Sequence, residues 1–387
     1  MRTSGLPRFA PLLLVLALLG ACSGQAAVPT PVAAPPTSAS SPVPTAAPSP
    51  TAAPTATPTA VPTPTPVPNP SADPITGAPA FARGAVQGRP ILVMIDNHPQ
   101  AYPQTGLDKA AVVFEALAEF GVTRFMALYS PGLTPEVNQI GPVRSTRLYF
   151  VHWAMGFHAL YVHAGGSPQG LALAESTDQI VNLDALRVDG EDYFVRSRSR
   201  AAPHNLYTST EELLRAAEDR RAVALEDEEQ GFLFKTDAPE ADRGTLSPRS
   251  YFFIYPQDPA GWVYDPDTNG YLRLRRGVRA RDAASGEQLW TKNVMVMEVA
   301  ERPIPGDDKG RIEQDVIGGG SARLFLDGIE RDVTWRKPEP TAPLRFYDPD
   351  GEEVRFNAGP IWIVALPSLE NLTVKDADGA AFSAPPA

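Results

Sequence analysis

Between Val28 and about Ala80 the chain is built almost entirely from Pro, Thr, Ala, Ser and Val, and no charged residue occurs from Phe9 to Ala72. Such a segment cannot bury a core, and its prolines favour polyproline II, so residues 23–80 are expected to form a disordered linker. At ~3.1 Å per residue, some fifty residues reach on the order of 150 Å when fully extended. A packed core must therefore come from the residues after it, from about Phe81 onward.

The single cysteine, Cys22, lies just before the linker. Arg2 and Arg8 supply a basic n-region and Pro11 to Leu19 an apolar core. Leu19-Gly20-Ala21-Cys22 then gives the small residues and terminal cysteine of a bacterial lipoprotein signal. Residues 1–22 are expected to be signal peptide and lipobox, with Cys22 lipidated. An uncleaved signal anchor or a plain secretory peptide is the alternative, but the apolar run is short for a bilayer span. Several acyl chains anchor a protein stably where one is marginal. The expected location is extracytoplasmic, lipid-anchored to a bacterial envelope membrane. With no other cysteine, disulfides and cysteine catalysis are excluded.

The formal charge is -11, which argues against nucleic acid or an anionic membrane surface as a generic partner. Any anion must be bound by a local cluster of cations. All five histidines (His98, His152, His158, His163 and His204) fall in the first part of the folded region. A charged run, Glu226-Asp227-Glu228-Glu229, marks a boundary. The expected division is an N-terminal mixed α/β domain over 81–230, a mostly β domain over 231–370 and a tail over 371–387, α+β or α/β overall.

In the first domain, Pro90 to Ile95 predicts a buried strand, and Ala111–Phe120, Gly121 and Val122–Tyr129 predict strand, turn and strand. Thr105-x-x-Asp108 offers a helix through Ala118 as the alternative. Arg144 to His158 predicts a helix and Ala159 to His163 a strand. Ser167-Pro168 suits the cap and first turn of a second helix, and Ser209-x-x-Glu212 is a capping box for a third. Strand-like runs in the second domain are Tyr251–Tyr255, Tyr271–Arg276, Val294–Val299, Arg323–Asp327, Val333–Lys337 and Ile361–Leu366, with turns at Asp327-Gly328 and Asp350-Gly351. Gly318-Gly319-Gly320 is expected to be a bend or bulge. Trp262, Trp290, Trp335 and Trp362 are expected in the core or between sheets, an aromatic saccharide platform being the alternative.

Gly141-Pro142-Val143-Arg144-Ser145-Thr146-Arg147 is the most informative polar segment. If a helix begins there, Arg144 and Arg147 sit where the macrodipole disfavours cations, which makes sense if an anion completes the site. Neutralisation by Glu115 or Glu119 is the alternative. Gly165-Gly166-Ser167 joins a strand to a helix start and could cradle an anion. Arg196-Ser197-Arg198-Ser199-Arg200 places three guanidiniums on one side if extended, with Arg198 at the centre. A solvated loop explains the same run. Asp96, His98, Glu115, His163 and His204 are possible acid/base groups. None shows metal-ligand spacing, no cofactor motif is present, and Gly-x-Ser-x-Gly is absent.

The segments Val93 to His98, Thr123 to Ala127, Ile140 to Arg147, Tyr161 to Ser167 and Ala202 to Tyr207 resemble the YerB-like bacterial lipoproteins. The similarity extends through Lys292-Asn293-Val294 and Gly359 to Ile363, so it covers nearly everything after the linker. The resemblance implies a two-domain, membrane-anchored envelope protein, with a domain of unknown function and no settled catalytic residues. More loosely, the hairpin leading to an Arg-containing segment is similar to wall-polymer ligases of the LytR–CpsA–Psr group, which hold a polyprenyl pyrophosphate with arginines. Their acidic partner after the arginine is replaced here by Ser145-Thr146.

The expected function is a non-enzymatic or regulatory lipoprotein that binds an anionic cell-wall polymer or precursor, with an envelope protein as a further partner. A wall-active hydrolase or a phosphoryl or glycosyl transferase in the same site is the first alternative, and a structural adaptor is the second.

Overall fold

The apolar run Ile91–Asp96 (β1) is buried at every position, as a central strand covered on both faces must be. The computed structural model describes residues 88–130, 136–222, 231–252 and 255–376, with side chains 249–260 excepted. Cys22, the linker, the acidic boundary run and the last residues of the chain lie outside the described residues, as does part of the Tyr251–Tyr255 run.

Val112–Glu119 (β2) and Val122–Tyr129 (β3) form an antiparallel hairpin. Phe120 and Gly121 at its tip have φ of 50° and 75°, the left-handed pair that matches the twist of a two-residue turn. The alternative helix from Thr105 is absent, and Leu107–Lys109 makes only one 3-10 turn. β1 pairs antiparallel with β3 and parallel with Leu160–His163 (β4), which pairs with Val181–Asp184 (β5).

The two halves meet in one sheet. β2 runs parallel to Ile361–Leu366, with Val112 opposite Ile361 and Glu115 opposite Val364. The sheet continues through Asn293–Glu298, Gly318–Leu326 and Ile329–Lys337 to Arg345–Tyr347, which makes ten mixed strands. Alternation along β1 sends Leu92 and Met94 to one face, and Ile91, Val93 and Ile95 to the other. Leu148–Met155 (α1) covers the first face with Tyr149, Phe150 and Trp153. A smaller antiparallel sheet covers the second with Trp262 and Tyr271, joined by Leu213 and Ala216 of Thr210–Asp219 (α3). The fold is mostly sheet, with α-helices only in the first half among the described residues.

Local signals held where the chemistry is local. Ser167 Oγ accepts from Gly170 N–H at 3.2 Å and caps Pro168–Ser176 (α2), and Ser209 Oγ accepts from Glu212 N–H at 3.2 Å to cap α3. Asp327 and Gly328, with φ of 54° and 68°, turn the predicted hairpin.

Four details differ from the sequence reading. The first helix starts at Leu148 because the N–H groups of Gly141, Val143, Arg144 and Thr146 bond to distant carbonyls, those of Thr105, Leu206, Met94 and Gly165. Gly318-Gly319-Gly320 is the start of a paired strand, where a Cβ on Gly320 would come 2.6 Å from Trp335 Nε1. Trp290 is 41% exposed, whereas Trp262, Trp335 and Trp362 are buried. Past residue 370, Leu372–Asp376 is a strand paired with Leu246–Phe252.

Candidate functional site

β1 carries Asp96 to its carboxyl end, and the parallel β4 ends beside it at His163. The segment from Gly141 to Arg147 crosses these ends as a strap. Val143 N–H donates to Leu206 O (2.7 Å), Arg144 N–H to Met94 O (2.8 Å) and Thr146 N–H to Gly165 O (2.9 Å), while Arg144 O accepts from Ala164 N–H (3.0 Å). Arg144 is thus fixed by backbone bonds on both sides, at the carboxyl edge where open sheets usually hold ligands.

Asp96 organises the cluster. Its Oδ1 accepts from His98 N–H at 3.0 Å, and its Oδ2 lies 2.7 Å from His204 Nδ1 and 3.2 Å from Arg144 Nε. The His98 and His204 rings stack with centroids 4.5 Å apart. His98 Nδ1 accepts from Gln100 N–H at 3.2 Å, so the neutral ring carries its proton on Nε2. Asp96 likewise assigns the Nδ1 proton to His204 and turns its Nε2 away from the carboxylate.

Burial pushes the Asp96 carboxyl up, but Arg124, the His98 N–H, His204 and Arg144 together outweigh it and hold it below the usual carboxylate range. Burial, then His204, Arg144 and Arg275, lower the His98 pKa, against a smaller opposing pull from Asp96. The Arg144 side chain stays 26% exposed, the most open cation touching Asp96.

A hydrogen-bonded chain runs inward from this cluster. Gln104 Nε2 donates to Asp96 O at 3.0 Å and to Asn97 Oδ1 at 2.9 Å. Asn97 Nδ2 donates to Thr123 Oγ1 at 2.7 Å, which donates to Glu115 Oε1 at 3.2 Å. Glu115 is buried and also accepts from Arg273 Nη2 at 2.9 Å and Trp362 Nε1 at 3.0 Å. Arg273 lies against the Trp262 and Trp362 rings, at 4.8 and 5.0 Å. Glu115 therefore belongs to the packing beneath the site.

The other sequence candidates occupy different positions. Arg147 pairs with Glu119, which also takes Arg124 Nη2 at 3.0 Å, while Arg124 Nη1 donates to Ser145 O at 3.1 Å. Arg147 is thus held by an internal carboxylate that it shares with Arg124. The Gly165-Gly166-Ser167 turn spends donors on the protein itself, Gly165 N–H on Asp184 Oδ1 (2.8 Å) and Ser167 N–H on Thr146 O (3.2 Å). His163 is fully buried, with Nδ1 3.0 Å from Gly165 O and Nε2 2.8 Å from Asn182 Oδ1. Arg198 is exposed, whereas Arg196 donates to Asn205 Oδ1 (2.9 Å) and Arg200 to Pro103 O (2.6 Å). Arg196 and Arg200 therefore hold the loop that presents His204.

So Asp96, His98, His204 and Arg144 converge, and Glu115, His163, Arg147 and Arg198 stay outside the cluster. Gln104, Arg124 and Arg275 were not foreseen. An arginine inside the apolar strand Thr123 to Ala127 was the available signal for Arg124.

Residues 75–223 match the N-terminal domain, and 252–363 the C-terminal domain, of the family described as Protein of unknown function (DUF3048). The chain belongs to that family. YerB of Bacillus subtilis (strain 168), which is named as a lipoprotein, is 33% identical over 310 residues, covering 79% of this chain and 89% of the relative. The crystal structure of Bacillus subtilis YerB matches with a TM-score of 0.69 at 30% identity, over 79% of this chain and 99% of that one. The lipoprotein name agrees with the sequence around Cys22. Among the described residues, no helix is long and apolar enough to cross a membrane.

Proposed function

We propose that this DUF3048 protein is an envelope-anchored lipoprotein whose Asp96–Arg144–His98–His204 cluster binds an anionic cell-wall component through a phosphate or carboxylate group. The observation that carries this reading is Arg144, pinned by its backbone and by Asp96 yet partly open beside two imidazoles. The charge count agrees. Arg124, Arg144 and Arg147 face Asp96 and Glu119, so the group holds one guanidinium more than it has carboxylates. An oxyanion would complete the balance, and the planar donor fork of Arg144 suits it.

Lipidated protein in detergent micelles, titrated with purified wall polymers across a salt series, tests the reading. Wild type should bind in a salt-sensitive manner. Arg144→Ala should lose about 10- to 100-fold, the equivalent of one charge-assisted hydrogen bond of roughly 1.5–3 kcal/mol. No binding by wild type to any wall fraction, or unchanged binding by Arg144→Ala, would refute it.

The contact of 2.7 Å between Asp96 and His204 favours a second reading, acid/base catalysis on the same ligand. A carboxylate on Nδ1 leaves Nε2 as the working nitrogen, as in other Asp–His pairs. In the same titrations, turnover of bound polymer that vanishes in His204→Ala while binding survives would favour it over binding alone.

A further inference from the structure

The two stacked histidines are held in opposite tautomers. Asp96 Oδ2 accepts from His204 Nδ1 at 2.7 Å, so the neutral His204 ring carries its proton there and keeps a lone pair on Nε2. His98 is the reverse. Its Nδ1 accepts from Gln100 N–H at 3.2 Å, which leaves the proton on Nε2 and makes that nitrogen a donor. Among the described residues neither Nε2 has a hydrogen-bond partner. His98 is half-buried and the His204 side chain is 10% exposed, so each ring has an open part.

Arg144 completes the pattern. Its Nε lies 3.2 Å from the same Asp96 oxygen that takes His204 Nδ1, so the guanidinium and the second imidazole meet on one atom. The ring centroids are 4.5 Å apart with planes at 14°, close enough for one small group to meet both rings. Such a group faces two donors, Arg144 and His98 Nε2–H, and one acceptor, His204 Nε2. A bare oxyanion satisfies the donors but sets an oxygen lone pair against that of His204. A ligand that brings its own hydroxyl proton satisfies all three.

We propose that the site recognises an oxyanion that carries a hydroxyl, as hydrogen phosphate and polyol phosphates do, with Arg144 and His98 holding anionic oxygen and His204 Nε2 accepting from the hydroxyl. This rests on the anion-binding reading of Arg144 and narrows its ligand. A site built to hydrogen-bond a hydroxyl rejects an analogue that lacks it, because the buried partner is then left unpaired; at a partly open site the discrimination is about 10- to 100-fold.

The test is titration of lipidated protein in detergent micelles with orthophosphate and with sulfate at about pH 8, above the ordinary imidazole pKa of roughly 6.5. Both anions are then tetrahedral and mainly doubly charged, and only phosphate carries a hydroxyl. Wild type should prefer phosphate about tenfold or more. His204→Ala should bind phosphate no better than sulfate, whereas Arg144→Ala should weaken both. Glycerol 1-phosphate beside propyl phosphate separates the sources of the hydroxyl, since neither phosphate group keeps a proton at that pH. Preference for the glycerol ester assigns the hydroxyl to a polyol, and equal binding assigns it to hydrogen phosphate. Nitrogen NMR of the wild-type imidazoles reads the tautomers without relying on a variant that folds. A proton on His204 Nε2, or sulfate bound as tightly as phosphate, overturns the proposal and leaves the Arg144 site standing. Binding of neither anion by wild type, or normal binding of both by Arg144→Ala, overturns the site and the proposal together.

Discussion

Replacing Glu119 with Gln should expose how the buried charges of the site are balanced. Glu119 is 20% exposed, and it holds two guanidiniums, Arg124 and Arg147, that are 3% and 7% exposed. The amide keeps the shape and one acceptor oxygen but removes the charge, so two desolvated cations lose their shared counterion. Breaking a buried ion pair from one side costs about 3–5 kcal/mol, and the partial exposure of Glu119 points to the lower end, about 3 kcal/mol. For a folded unit of about 300 residues that is a fall in Tm of about 5 °C. Burial pushes the Glu119 carboxyl up, but Arg124 and Arg147 outweigh it and depress the net pKa. A depressed carboxylate contributes stability above its unfolded pKa of roughly 4.3, and that contribution is lost as pH falls through the folded value. Urea unfolding of both proteins from pH 7 downward should therefore show a gap of about 3 kcal/mol at neutral pH that narrows below about pH 4. A gap under 0.5 kcal/mol at pH 7, or one that does not change with pH, would refute this account of the Arg124–Glu119–Arg147 group.

Two further perturbations test the frame around the site. Phe114→Ala removes a fully buried ring stacked at 5.2 Å on Trp153, and should cost about 3–5 kcal/mol by chemical denaturation; a loss under 1 kcal/mol would mean that this face of the sheet can collapse around the gap. Lys337 is buried, donates to the Pro340 and Ala342 carbonyls, and has its pKa lowered by burial from 10.5 to about 8. Between those values the unfolded chain binds more protons than the folded one, so stability rises with pH from about 8 to 10.5. Lys337→Met should abolish that component of the rise in pH-dependent unfolding, and an unaltered profile would show that Lys337 does not supply it.

What the sequence disclosed follows the range of the interactions involved. The β2–β3 hairpin and the caps at Ser167 and Ser209 depend on residues within a few positions, and they were legible. The strap at Arg144 has the local pattern of a helix start, and the partners that hold it extended, Met94, Leu206 and Gly165, are distant in sequence. Asp96, His98, His204 and Arg144 were all identifiable as polar residues beside apolar runs. Their convergence was not, since the bond that joins Asp96 to His204 spans 108 residues. Arg147 shows the same limit. The sequence offers Glu115 or Glu119 as its partner, and only the sheet brings Glu119, 28 residues away, within reach. The pairing of Glu115 with Val364 is less visible still, because an all-apolar strand does not name its neighbour.

That pairing bears on where the site ends. Glu115 accepts from Arg273 of the smaller sheet and from Trp362 of the large one, and it connects through Thr123 and Asn97 to the backbone of Asp96. Two residues beyond Arg273, Arg275 reaches Asn97 itself. The second half therefore supplies both the footing of the histidine cluster and a charge on its rim. It also covers an edge, because without Ile361–Leu366 the strand Val112–Glu119 would leave its backbone groups unpaired along one side, an arrangement that invites association with other chains. The two matched domains are in this sense one structural unit around one site. Loss of either half removes part of the cluster's support.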